Sequence, residues 1–160
     1  MANEEAAAIA GLVKTAEDAR DKSEARYSHF RVGAAIESKD GKIYSGFNIE
    51  SSSYGLSMCA ERVAVWKAIT AGESKFRRIA IVSDAKDFCS PCGACRQVLF
   101  ELAGDIDVYM TNHLGEIRKE RLSSLLPFAF TSETITSKLP SAPSTGLAAN
   151  VREEPVGRRD

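Results

Sequence analysis

The chain predicts an α/β protein, a three-layer α/β/α subunit built on a mixed sheet of five strands. Three observations carry that reading. Apolar residues recur at helical spacing in some segments and as short unbroken runs in others. The elements then follow the order helix, hairpin, helix, strand, helix, strand, which fits a mixed sheet covered by helices. Finally, 160 residues with 44% apolar and 27% charged side chains suit one domain with a real core.

The first helix spans about residues 3 to 23. Ile9, Leu12, Val13 and Ala16 form one stripe, with Lys14, Glu17 and Asp18 off it. Residues 26–31 form a loop-like bridge. Val32 to Ile36 is a short strand whose small residues suit close packing against a helix. Asp40-Gly41 marks a hairpin turn, and Ile43 to Phe47 returns as the second strand. Asn48 to Ser57 is polar, small and aperiodic, hence a loop. A helix then runs from Ala60 to a stop at Gly72. Arg78 to Ser83 is an apolar run of strand length, expected near the centre of the sheet. Cys92 or Gly93 opens another helix through about Ala103, with Val98, Leu99 and Leu102 on one face. Ile106 to Met110 is a strand, Thr111 to Lys119 a turn leading into a last strand, and Leu122 to Leu126 a helical turn ending at Pro127. Beyond Phe130, Ser, Thr and Pro dominate and then small and charged residues. The expected division is a folded domain over 1–130 and a poorly ordered tail over 131–160.

Composition also narrows the partners. The formal net charge is -1, so no basic excess exists to neutralise a phosphate backbone, and a nucleic acid partner is disfavoured. No apolar run approaches the roughly 20 residues of a membrane helix. The N-terminus begins acidic, without the basic region of a signal peptide, so a cytoplasmic location is expected. Cysteines at 59, 89, 92 and 95 in such a chain read as metal ligands before disulfides.

Cys92 and Cys95 have the two-residue gap that lets two thiolates grip one tetrahedral metal, and Cys59 would add a third sulfur. Three protein ligands leave one zinc position open for water, as in catalytic sites. Both halves of the motif fall at expected helix starts, where the helix dipole lowers thiol pKa and favours thiolate. Residues two apart on a regular helix point about 200° apart, so Cys59 and Glu61 can share a site only if Cys59 sits at the very start. Taken alone, Cys92 and Cys95 read equally as a redox pair or half of a zinc knuckle. Cys89 adds a second CxxC register. Pro91 and the helix start favour Cys92 with Cys95 and leave Cys89 as a spare loop thiol. Glu61 is placed to handle the proton of an activated water, against the plainer reading of a first-turn helix acid.

The stretches YSHFRVGAA over 27–35, GFNIE over 46–50, SYGL over 53–56, CAER over 59–62, PCGACRQV over 91–98 and LLPFAF over 125–130 resemble the small homotetrameric, zinc-dependent cytidine deaminases. The resemblance spans about residues 5 to 130. The family usually has Pro where Arg26 stands, and Phe is common at Trp66. The resemblance implies a cytidine deaminase-like fold, a Zn2+ cofactor, and hydrolytic deamination of cytidine and deoxycytidine to the uridines in pyrimidine salvage. It implies Glu61 as base and then acid, and Cys59, Cys92 and Cys95 as ligands. Asn48 and Glu50 would hold the ribose hydroxyls, Phe30 the base, and Ala60 would contribute backbone groups. Tyr54 and Phe130 would complete a neighbouring subunit's pocket. Arg62 would offset the net negative charge of three thiolates around one dication. Plainer readings stand beside these: loop chemistry for Asn48 and Glu50, core packing for Phe30 and Phe130, a surface cation for Arg62. The alternative substrates are N4-substituted cytidines or an aminonucleoside antibiotic. A non-catalytic zinc module would have no use for the open position or for Glu61.

Overall fold

The computed structural model describes residues 2–136, in which the main chain folds as a three-layer sandwich. Helix α1 is Ala2–Arg20, strand β1 Val32–Ser38, β2 Ile43–Phe47, helix α2 Ala60–Thr70, β3 Phe76–Ser83, α3 Gly93–Ala103, β4 Asp107–Thr111, β5 Ile117–Arg121 and α4 Leu122–Leu125. A short 3-10 turn, Tyr54–Leu56, interrupts the loop before α2. Among the described residues the sheet has five strands in the order β2-β1-β3-β4-β5, with β3 in the middle. Strand β1 pairs antiparallel with both β2 and β3, β3 and β4 are parallel, and β5 returns antiparallel to β4. The mixed five-stranded sheet is the one the sequence predicts. Helix α1 ends at Arg20, one turn earlier than its expected end at 23, and β4 and β5 each begin or end a residue or two away from the expected limits.

The two faces of the sheet follow from residue parity along the strands. Ala34, Ile36, Ile79, Ile81, Val108 and Met110 point toward α2 and α3, where Ala64, Val65, Ala68 and Leu99 complete a buried cluster. Ala35, Ala80, Val82 and Tyr109 point to the other face, against Leu12 and Ala16 of α1, with Ile9 and Val13 packed at the margin. Burying a side chain such as Leu12 or Val65 contributes roughly 1.5–3 kcal/mol. Arg78 is a buried exception on the α1 face. Its Nε donates to Glu37 Oε2 at 2.6 Å and its Nη1 to Glu5 Oε1 at 2.5 Å, which ties the start of α1 to β1 and β3.

Two glycines set how closely the layers approach. A Cβ on Gly33 would lie 2.0 Å from the Ala16 carbonyl oxygen, and one on Gly46 would lie 2.5 Å from Ala64 N and 2.6 Å from the Ala60 oxygen. No side chain fits there, so α1 rests on β1 and α2 on β2 by backbone contact. Gly46 thereby sets the height of α2 and of the residues at its N-terminus.

The chain divides into two units, Met1–Phe130 and Thr131–Asp160. In the second, Ser132–Thr136 forms one helical turn, α5, within a stretch expected to be poorly ordered. Positions 137–160, the remainder of that expected tail, lie outside the described residues.

Candidate active site

Two helix starts converge. Cys59 is the N-cap of α2 and Cys92 the N-cap of α3, both in extended backbone conformation, while Cys95 lies in the first turn of α3. Their sulfurs all lie within 4.8 Å of one another, and Cys59 Sγ is 3.9 Å from Cys92 Sγ. Three sulfurs at about 2.3 Å from one tetrahedral metal would be about 3.8 Å apart, so the donor set fits zinc in number, type and spacing. Cys95 is fully buried, Cys59 half-buried and Cys92 exposed. Cys89 lies outside the cluster, in the loop ahead of α3.

Crowding polarises the three thiols. A hydrogen bond with Cys95, helped by Arg62, holds Cys59 down at about 5 despite burial. The Cys95 thiol is pushed up, first by that same bond to Cys59 and then by burial. One negative charge therefore fits the bare cluster readily and a second costs heavily, a barrier that a bound dication removes. Arg62 Nη2 donates to Cys59 Sγ at 3.6 Å. Among the described residues its buried Nε meets no partner.

Glu61 lies in the first turn of α2 and is 4% exposed. Burial pushes its carboxyl up to about 7, against a helix terminus and an Arg62 guanidinium that both favour the ionised form. A buried carboxyl poised near neutrality can take up and release a proton in one cycle. It lines a cavity of about 270 Å³ together with Cys59, Cys92, Ala60, Phe30, Asn48 and Glu50. Starting the helix at Ala60 is what lets Cys59 and Glu61 reach the same cavity.

Asn48 and Glu50 do more than line it. Asn48 Oδ1 accepts from Val32 N at 2.8 Å and Ser23 Oγ at 2.5 Å, and Asn48 Nδ2 donates to the Phe30 carbonyl at 2.9 Å. Glu50 accepts from the amides of Tyr27 and Ser28 and from the Ser28 hydroxyl, which hold its carboxyl below the usual range, the hydroxyl foremost. Both residues thus brace the 23–32 segment that carries Phe30 to the cavity, and the loop-chemistry reading is part of their role. Tyr54 and Phe130 do not line this cavity. Tyr54 is 75% exposed, edge-on to Tyr27 at 5.9 Å, and Phe130 is 58% exposed, so neither plugs its own subunit's core. The sequence reading missed Cys89 and Ser90 as cavity-lining residues, and Ser28 as the partner of Glu50. Ser90 stands directly before Pro91-Cys92, and that adjacency was the available signal.

A mixed sheet that gathers three thiols into one cluster beside a cavity walled by a buried carboxylic acid offers the donor set and the proton carrier of a metal-dependent hydrolase. Residues 8–111 match the model of the cytidine and deoxycytidylate deaminase zinc-binding region. The cytidine deaminase of Sporosarcina psychrophila is 44% identical over 126 residues, 78% of this chain and 93% of that protein. The cytidine deaminase of Halalkalibacterium halodurans is 49% identical over 123 residues, 76% of this chain and 93% of its own length. The crystal structure of cytidine deaminase from Burkholderia pseudomallei superposes with a TM-score of 0.73 at 45% identity, covering 75% of this chain and 97% of the other. The chain belongs to the cytidine deaminase family, and its cofactor is zinc.

Proposed function

We propose that this protein deaminates cytidine and deoxycytidine hydrolytically, releasing ammonia and leaving uridine or deoxyuridine. The observation that carries the reading is Glu61, buried and held near neutrality at the wall of the cavity that the cysteine cluster borders. Cys59, Cys92 and Cys95 would hold zinc, whose Lewis acidity makes water a competent nucleophile at neutral pH. Glu61 takes one proton from the attacking water and delivers it to ring N3, then takes the second from the hydroxyl so formed at C4 and delivers it to the departing amine, which leaves as ammonia. Arg62 offsets the anionic charge of the thiolates. Phe30 packs on the base, while the remaining hydrogen-bonding capacity of Asn48 and Glu50 meets the ribose hydroxyls. Relatives that are cytidine deaminases over nearly their whole length favour these substrates over N4-substituted cytidines or an antibiotic.

The working form is a homotetramer in which Tyr54 and Phe130 complete a neighbour's pocket. Their exposure, with Leu56 and Phe128 exposed nearby in sequence, supports this, since apolar groups left bare by one chain are material for an interface. Pyrimidine salvage in the cytoplasm is the setting. The four free cysteines suit a reducing compartment, and no helix among the described residues is long and apolar enough to cross a membrane.

A substrate screen tests the reading. Zinc-loaded protein is offered cytidine, deoxycytidine and N4-substituted cytidines, with zinc measured on the same sample. Turnover of the first two is expected. Full zinc without turnover of any nucleoside would leave only a zinc-binding module, and turnover confined to the N4-substituted compounds would replace the substrate assignment.

A further inference from the structure

Helix α3 carries two of the cysteines, and it also grips the segment that ends in Phe130. Arg96 sits one turn after Cys92, its own amide bonded to the Cys92 carbonyl at 2.9 Å. Its side chain donates in three directions. Nε meets the Pro91 carbonyl at 2.7 Å and Nη2 meets Ser90 Oγ at 2.8 Å, both in the loop that delivers Cys92. Nη1 meets the carbonyl of Leu125 at 2.8 Å, at the end of α4. The next residue, Gln97, donates from Nε2 to the Phe130 carbonyl at 2.7 Å. The two ends of the 125–130 stretch are therefore held by adjacent residues of one helix. Between them Phe128 adopts φ 57°, a left-handed conformation that a residue with a side chain keeps only where its surroundings impose it.

We propose that Arg96 is a positioning residue that locks the Ser90–Cys92 loop to the Leu125–Phe130 segment, so that metal-site geometry and the placement of Phe130 are set together. Arg96 does not line the cavity, whereas Ser90 does. Arg62 is the guanidinium at the sulfurs, and Arg96 acts through the loop alone. The planar fork is required. Lysine offers one ammonium centre, which cannot reach three acceptors spread over two segments. Partly buried carbonyls left unpaired would then pull both segments toward other partners. The effect on catalysis rests on the reading that Cys92 binds zinc and that Phe130 meets substrate.

The test compares the full-length, metal-loaded parent with Arg96→Lys, Gln97→Ala and Phe130→Ala. Arg96→Lys should keep about one zinc per chain, lower kcat/KM about 10- to 100-fold, and shift the thiolate bands of the Co2+-substituted protein. Hydrogen exchange at Leu126, whose amide is bonded to the Leu122 carbonyl, should quicken about tenfold or more. Gln97→Ala frees only the Phe130 end, so it should raise KM while leaving the Leu126 exchange and the Co2+ spectrum unchanged. Parental exchange and a parental Co2+ spectrum in Arg96→Lys would overturn the lock. If Arg96→Lys fails to fold, Ser90→Ala and Gln97→Ala decide, and a parental Co2+ spectrum in the first with a parental KM in the second would overturn it. A parental KM in Phe130→Ala, with exchange and spectrum still altered in Arg96→Lys, supports the lock and removes only the role given to Phe130.

Discussion

Replacing Glu61 by Gln should make the metal-free protein more stable, although it cripples turnover in the zinc-loaded one. The carboxyl is buried and is raised from an ordinary 4.5 to about 7, with burial as the main cause and the neighbouring Cys59 charge adding to it. A folded-state pKa above the unfolded one means that the folded protein binds the proton more tightly. That contribution to stability is fully present below about pH 4.5 and is lost as pH rises through about 7. Above that window the fold carries a buried carboxylate. At about 1.4 kcal/mol per pH unit, the gap amounts to about 3 kcal/mol at pH 8. Gln is nearly the same size and cannot ionise, so metal-free Glu61→Gln should be about 3 kcal/mol more stable than metal-free parent at pH 8, or about 10 °C in Tm, and should show no gain near pH 4. Denaturant or thermal unfolding of both proteins, reduced and chelator-treated, from pH 4 to pH 8.5 measures this. Parallel stability curves across that range would refute the argument that burial holds this carboxyl near neutrality. The same substitution in the zinc-loaded protein should retain metal and lose about 10²- to 10⁴-fold in kcat. A residue that weakens the fold and is indispensable to the reaction is where stability and activity are expected to conflict.

Metal analysis of Cys89→Ser should still find about one zinc per chain, because Cys89 lies outside the sulfur cluster; loss of zinc in that variant would reverse the choice of register. Arg62→Gln should keep zinc but lower kcat and move its pH profile upward, since the thiolates lose the cation 3.6 Å from Cys59; an unchanged profile would show that the guanidinium does not tune the site. Mixed assemblies of Phe130→Ala and Glu61→Gln chains, refolded together, should regain some activity beyond the two variants summed, and a mixture no more active than the sum would return Phe130 to its own subunit. Gly46→Ala should cost about 1–3 kcal/mol or more in unfolding free energy, because the new methyl would sit 2.5 Å from the backbone of α2, and a near-parental stability would mean that α2 can lift without penalty.

Local chemistry was enough to read much of this protein from its sequence. The Asp40-Gly41 turn, the alternation of helical stripes and apolar runs, and the two cysteine segments at helix starts each act within a few residues of chain. The small residues of β1 foretold close helix packing, and Gly33 shows it. Pro91 and the helix start favoured Cys92 with Cys95, and the tertiary structure brings those two and Cys59 together. Cys89-x-x-Cys92 and Cys92-x-x-Cys95 are the same spacing, and the choice between them depends on where α3 begins and on what α2 presents opposite. The near-neutral carboxyl of Glu61 was invisible in the sequence, since burial is a property of everything packed around it. Asn48 and Glu50 read as sugar ligands or as loop residues until their contacts with the 23–32 segment showed the bracing role. Arg96 and Gln97 enter the sequence reading only as members of the PCGACRQV stretch, with no role of their own. Their significance comes from acceptors about thirty residues away at Leu125 and Phe130, and hydrogen bonds over that span leave no periodicity to read.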